Sequence, residues 1–415
     1  MRMGWCLLAA LPLAAQTDDP MLRAMADEMQ RSRALGTMPF AQPYYFAYAL
    51  HDGDSVNASA TLGALSGARR VRFRLPQIEI RAGDYQFDNT NFVGTGFYSG
   101  TRYDVGEFPI DDSYPVLRQH LWLATDMAYK AALEGFSNKR AALRDVARGE
   151  ELADFYHAPP VEMVTAAPLP PMDEKAWAAR VRRISAVFLS YPGVMRSAVS
   201  FEGGGGRLYL VTSEGTRIRV SEGSATLRVL ASAQAPDGML LRDAAIFYAL
   251  DPARLPSDAE VERAAREVAT NLGALVQAPV AESYSGPVLF EGAAAGQLFA
   301  ELLGKNLALP RRPVAAPGRP LAFAASELEN RAGTRILPEW MDVVDDPGQT
   351  EWHGRELFGH YAVDLEGRHG DGRRPDRRQP GTGTRCAHRR RRHQTLRFRR
   401  PPPHASGRAG PGRTE

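Results

Sequence analysis

The stretch RSAVSFEGGGGRLYLVTSEGTRIRVSEGSATLRVLA, Arg196 to Ala231, decides the fold class of this chain. Arg196 to Phe201, Arg207 to Thr212, Thr216 to Val220 and Ala225 to Ala231 are short apolar or alternating runs. Between them stand Gly203 to Gly206, Glu214-Gly215 and Glu222-Gly223, which read as turns in a series of hairpins. No helix carrying Lys-Ser/Thr follows the glycine run, so it is not a phosphate loop. A further strand is expected near Ala244 to Leu250, with amphipathic helices at Glu174 to Phe188 and Pro256 to Leu275.

Upstream, Asp18 to Leu35 has Leu22, Met25, Ala26 and Met29 at helical spacing. Tyr44 to His51 alternates, His51-Asp52-Gly53-Asp54 is a turn signal, and Ser55 to Leu65 continues as a strand. Val71 to Leu75 and Ile78 to Arg81 alternate apolar and charged residues, as strands with one wet face do. Gly83 to Pro109 reads as loops or irregular strands. Tyr114 to Phe136 carries Leu117, Leu121, Leu123, Ala124, Met127, Ala128 and Leu133 on one broad stripe, with helical character continuing from Asn138 to Phe155. Pro159-Pro160 and Pro168 to Pro171 mark a linker. An α+β, multidomain chain follows: 17–158 an N-terminal α+β domain, 159–173 a Pro-rich linker, 174–278 a hairpin-rich middle domain, and 279–367 a β-rich C-terminal domain that is incomplete.

At 415 residues, with 44% hydrophobic and 24% charged side chains, the chain can bury several cores. A collagen, a wholly disordered chain and a multi-span membrane protein are excluded. The net charge of +3 hides two unlike parts. Residues 368–415 hold 15 Arg and 3 acidic residues and carry +12, so the remainder carries −9. This tail has too few apolar residues to fold. It reads either as an arginine-rich arm for acidic surfaces or as a frameshift near Gly367, since 47 Arg against four Lys suggests a GC-rich coding sequence. The frameshift is the preferred reading, and nucleic acid is not expected as a partner.

Residues 1–16 combine Arg2, an apolar run and small residues, the pattern of a short signal peptide; a buried first helix is the alternative. The expected location is periplasmic or extracellular, or cytoplasmic if the signal reading fails. Cys6 and Cys386 are the two cysteines, so the body between has no disulfide and no cysteine ligand or nucleophile.

Tyr284-Ser285-Gly286-Pro287-Val288-Leu289-Phe290-Glu291 reads as a short buried strand. The helix that follows begins with Ala293 to Gly296, small enough to pack closely on a sheet, and continues through Ala300, Glu301 and Lys305. This stretch resembles the TldD/PmbA family of metallopeptidase-related proteins, in which a Gly-Pro-Val-Leu-Phe strand leads into a His-Glu-x-x-x-His helix. The resemblance runs from about Asp18 to Gly367 and is strongest from Tyr284 to Leu307. It implies a proteolytic chamber, a peptide substrate and, in the peptidase members, zinc held by the two histidines with the glutamate as acid/base. Here those positions are Ala300, Glu301 and Lys305. Ala300 offers no ligand atom, and the ammonium of Lys305 repels a cation. The family's cysteine ligand has no counterpart before the tail. The resemblance is therefore to the metal-free PmbA (TldE) side, a non-catalytic subunit without cofactor that pairs with a metal-bearing TldD-like partner. A stand-alone peptide-binding or scaffold protein, or a truncated non-functional product, are the alternatives. No membrane contact is expected.

Other candidates read as structural. His353 and His360, with Asp364 nearby, could be a metal pair, but Gly354 and Gly359 fit a turn better. His51 sits in the supposed turn, His120 on the long helix and His157 in a loop. Asp111-Asp112 and Asp345-Asp346 read as exposed acidic pairs. Phe40, Tyr44, Tyr45, Phe46 and Tyr48 read as core, with a peptide groove as the alternative.

Overall fold

The computed structural model describes residues 19–34, 42–94, 103–144 and 153–364, the last with short breaks at 166, 282, 308–311, 322, 324–325, 329–330, 332–333, 339–340, 342 and 344–345. The predicted signal peptide, Phe40, Asp345 and the arginine-rich tail lie outside the described residues.

Helix α1 (Pro20–Arg33) starts where the Asp19 carboxylate accepts the Met21 and Leu22 N–H groups at 3.0 Å each, with proline at the first helical position. Strands β1 (Pro43–Thr61) and β2 (Ala64–Ala82) form a long hairpin, closed by Leu62 and Gly63 at φ 47° and 76°. Positive φ at both central residues is the two-residue turn whose twist matches a hairpin. After the short strand β3 (Phe92–Val93), α2 (Tyr114–Ala142) runs 29 residues, and β4 (Glu162–Val164) follows the first linker prolines. Helix α3 (Glu174–Ser185) precedes a second long hairpin, β5 (Arg196–Thr212) and β6 (Arg217–Gln234), then β7 (Leu240–Ala249) and α4 (Asp258–Gln277). A Ser257–Glu260 capping box fixes the start of α4. The class is α+β, as the pattern of segregated helices and antiparallel strands predicts.

One six-stranded sheet runs β2-β1-β5-β6, with β4 and β7 both on the outer side of β6. Three expected turns are absent from it. Gly203 to Gly206 lies inside β5, Glu222-Gly223 inside β6, and Asp52-Gly53-Asp54 inside β1. Register brings the three together: Gly53 pairs with Gly206 and Asp54 with Gly205, which face Glu222 and Gly223 in turn. The glycines form a belt across the middle of the sheet. Their φ angles are not positive. What demands them is close approach: a Cβ on Gly204 would lie 2.4 Å from the Asp54 carbonyl oxygen, and one on Gly223 2.6 Å from that of Leu250.

At about 3.3 Å per residue the 19 residues of β1 span about 60 Å, enough to serve two cores. On one face, Phe46, Tyr48, Leu50, Ile80, Tyr209 and Val211 pack under α1 and α2. Further along the same face, Val56, Ala58, Phe201, Leu227 and Val229 pack under α3 and α4, where Trp177 stacks on Phe201 at 3.5 Å. The segments read as separate N-terminal and middle domains thus share one sheet. The opposite face carries a smaller cluster of Tyr45, Ala47, Leu210 and Ile218 with Phe155, Val161 and Val363.

The wet-face reading of β2 is also corrected. Arg74 and Arg81 are buried, whereas Leu75 is half exposed. Arg74 reaches Asp52 at 3.3 Å and also bonds Asp112; Arg81 bonds Asp88 at 2.8 Å and lies over the Phe155 ring. Charges enter a core only when paired and hydrogen-bonded, and partners from other segments supply this. Asp88 in turn accepts the Tyr44 hydroxyl at 2.8 Å, and Lys139 bonds Asp154 at 2.5 Å and the Thr90 carbonyl at 2.7 Å. This ionic knot fastens the loops after β2 and before β4 to α2.

Residues 283–291 form no strand and are exposed, contrary to the expected buried strand. Helix α5 (Gly292–Phe299) continues through a π turn, Ala300–Gly304, into α6 (Lys305–Leu307). Nothing lies within 4 Å of a Cβ built on Gly296, so the small residues here do not pack against a sheet. Val314–Ala315 (β8) pairs in parallel with β3, and Glu351–Trp352 (β9) with Arg355–Glu356 (β10).

Candidate functional site

On the face that carries both large cores, alternation places Asp52 and Asp54 between them. Asp52 is buried on this strip of the sheet and Asp54 half-buried. Asp52, Asp54, Arg70, Arg72, Leu169 and Arg207 line a cleft of about 430 Å³ there. Register explains the assembly. Arg72 pairs with Asp54 and Arg74 with Asp52 across β1–β2, while Arg207 pairs with Asp52 across β1–β5. The linker closes one side, with Pro170 over Gly205 and Gly223 and the Ser221 hydroxyl donating to the Ala167 carbonyl at 2.8 Å.

The charges are not equally engaged. Arg70 Nε donates to both Asp54 oxygens at 2.9 and 3.1 Å, and this hydrogen bonding holds the Asp54 carboxyl below the usual carboxylate range. Burial works to lower the Arg74 guanidinium, but its bonds to Asp52 and Asp112 outweigh that and raise it. Arg72 approaches Asp52 only to 3.9 Å and is half exposed. Arg207 Nε is buried with no hydrogen-bond partner among the described residues. The cleft therefore holds two guanidiniums with capacity to spare.

The residues named by sequence lie elsewhere. Ala300, Glu301 and Lys305 share an exposed helix, and the Lys305 ammonium pairs with the Glu301 carboxylate one turn away. Zinc does not fit this set: one ligand position is a methyl group and the other a cation. Among the described residues no three His, Cys, Asp or Glu side chains are grouped to hold a metal. His353 sits at φ 49° in the β9–β10 turn, and His360 Nδ1 is 2.7 Å from the Leu357 carbonyl oxygen. His120 contacts the Tyr103 hydroxyl at 2.8 Å, His51 lies within β1, and His157 neighbours Tyr85. Tyr45, Phe46 and Tyr48 are core residues. Asp112 is not a free acidic residue, since it serves Arg74.

Of the cleft residues, the sequence showed each but not their meeting. Asp52-Gly53-Asp54 read as a turn, Arg72 as a wet strand position and Arg207 as the start of a strand. The available signal was the recurrence of Gly with charged neighbours at matching depths in three strands.

No known family profile matches the chain, and no curated protein matches it either. Solved structures do. They include TldE from Thermococcus kodakarensis, 10% identical at a TM-score of 0.37, covering 60% of this chain and 47% of that one. A candidate modulator of DNA gyrase from Bacteroides thetaiotaomicron is 11% identical at a TM-score of 0.47, covering 84% and 67%. A second such modulator, from Thermotoga maritima, is 13% identical at 0.34, covering 59% and 48%. The matched part thus spans about half the length of the TldE and Thermotoga chains. Alignments at this level leave the chemistry to the chain's own residues. Among the described residues, no helix is long and apolar enough to cross a membrane.

Proposed function

We propose that this chain is a peptide-handling protein of the TldD/PmbA kind, on its metal-free PmbA side, acting as a non-catalytic subunit beside a metal-bearing TldD-like partner. One observation carries the reading: the carboxylate at the acid/base position is ion-paired to an ammonium where a ligand histidine would stand. The cation beside this carboxylate, at a position where a histidine would be a ligand, opposes a metal. The work is then binding and enclosure of peptide, in a periplasmic or extracellular setting.

The test is elemental analysis after dialysis, together with peptide cleavage by the chain alone and with a TldD-like partner. The expected result is no retained zinc, no cleavage alone, and cleavage only with the partner. One equivalent of zinc and cleavage by the chain alone would overturn the proposal. A stand-alone peptide-binding protein is the second reading, favoured by the guanidinium-lined cleft, which is built within this one chain. The arginine-rich tail is proposed to arise from a frameshift, checked by the nucleotide sequence around the Gly367 codon.

A further inference from the structure

We infer that the cleft between the helical layers binds the terminal carboxylate of a short peptide, with Arg72 and Arg207 as the cations that face it. The inference rests on the peptide-handling reading and names the group recognised. Its basis is the charge accounting inside the cleft. Asp54 is taken by two bonds from Arg70 Nε, and Asp52 by Arg74 at 3.3 Å. Arg72 has only a distant approach to Asp52, and Arg207 keeps a buried Nε–H with no acceptor among the described residues. A buried donor left without an acceptor is destabilising, and an oxygen from a ligand relieves it. A guanidinium presents a planar fork of donors matched to the two oxygens of a carboxylate.

Charge and size narrow the ligand. Three guanidiniums (Arg70, Arg72, Arg207) line the cleft with two carboxylates (Asp52, Asp54), and Arg74 behind Asp52 is matched by Asp112, which leaves one positive charge. That suits a monoanion, whereas a phosphate dianion would face two carboxylates at close range. The volume of about 430 Å³ is that of a small-ligand pocket, suited to a few residues and not to a folded partner. Leu169 adds an apolar wall for a side chain next to the carboxylate. Pro170 packs directly on Gly205, where a Cβ would lie 2.8 Å from Pro170 Cδ, so the linker forms a fixed wall of the cleft.

The experiment is calorimetric titration of the full chain with N-acetyl-trialanine, with its C-terminal amide, and with inorganic phosphate. The free acid is expected to bind, the amide at least tenfold more weakly, and phosphate more weakly than the acid. Arg72→Gln and Arg207→Gln should each lower acid binding about tenfold and leave amide binding unchanged. Arg72 is half exposed, so R72Q keeps the test alive should R207Q fail to fold by circular dichroism. Equal binding of acid and amide, unaffected by R72Q, would remove the carboxylate inference and leave peptide handling intact. Absence of binding by either peptide at millimolar concentration would remove both. Phosphate binding more tightly than the acid would overturn the choice of ligand.

Discussion

Replacing Gly204 with alanine tests whether the glycine run is a strand interior pressed against its neighbour. Gly204 pairs with Ser55 of β1 and with Ser224 of β6, in the middle of the sheet. A Cβ at this position would lie 2.4 Å from the Asp54 carbonyl oxygen, 2.9 Å from Ser55 Cα and 3.1 Å from Ser55 Cβ. The two nearest atoms are backbone, so no rotamer change clears the space. Strands β1 and β5 must separate locally, although continuous pairing from Ala47–Thr212 to Ala60–Val199 holds them on both sides. Overpacking of this kind costs about 2–3 kcal/mol. Gly67, in β2 of the same sheet, has nothing within 4 Å of a Cβ built on it and no positive φ. Alanine there should be neutral or stabilise by up to about 1 kcal/mol through the unfolded chain. Urea unfolding of the two variants and the parent gives the comparison. At an m-value of about 3 kcal/mol/M, G204A should lower the midpoint by about 0.7–1 M with m unchanged. If G204A and G67A unfold together with the parent, the run is not wedged between strands, and the shared sheet is wrong.

Further outcomes follow from the buried ions. Lys139→Met alone strands the Asp154 carboxylate in the interior and should cost about 3–5 kcal/mol. The double variant Lys139→Met/Asp154→Leu should lose clearly less than the two single losses added, and simple additivity in a double-mutant cycle would contradict the pairing. For Asp88, burial works to raise the pKa, but the charge of Arg81 and bonds from Thr90 outweigh it and leave the carboxyl lowered. Asp54 is lowered chiefly by its hydrogen bond from Arg70. Folded values below the unfolded value of about 3.9 mean that these groups stabilise fully above about pH 4, and that this stability is lost as pH falls through the folded pKa. Asp88→Asn should therefore flatten the acid limb of a plot of Tm against pH; an acid limb as steep as the parent's would refute the linkage.

Much of the fold was legible because its causes are local. Apolar spacing over Tyr114 to Phe136, the Asp19 and Ser257 caps and the alternation within each strand all act over a few residues, and the helices stand about where periodicity places them. Helix α2 ends at Ala142, short of Phe155, and Asp154 lies back against Lys139 of that helix instead of continuing it. The turns were misread for a reason that is also physical. Gly with Asp or Glu is the usual composition of a tight turn, and it is equally what a strand needs where a neighbouring backbone comes too close for a side chain. Only the register of β1, β5 and β6 separates the two cases.

The same division runs through the site. The identities of Ala300, Glu301 and Lys305 weigh against a zinc site before any coordinates, since a methyl group and an ammonium cannot ligate a cation. The sequence also settled the class of fold, the helices and the alternation, because those depend on neighbours in the chain. That Arg74 and Arg81 point inward, that two helical layers share one sheet, and that Arg72 and Arg207 meet beside two aspartates was decided by tertiary structure alone. The groups involved are up to 155 residues apart, as Asp52 and Arg207 are. Burial of charge depends on partners delivered by pairing between strands, which no local pattern encodes.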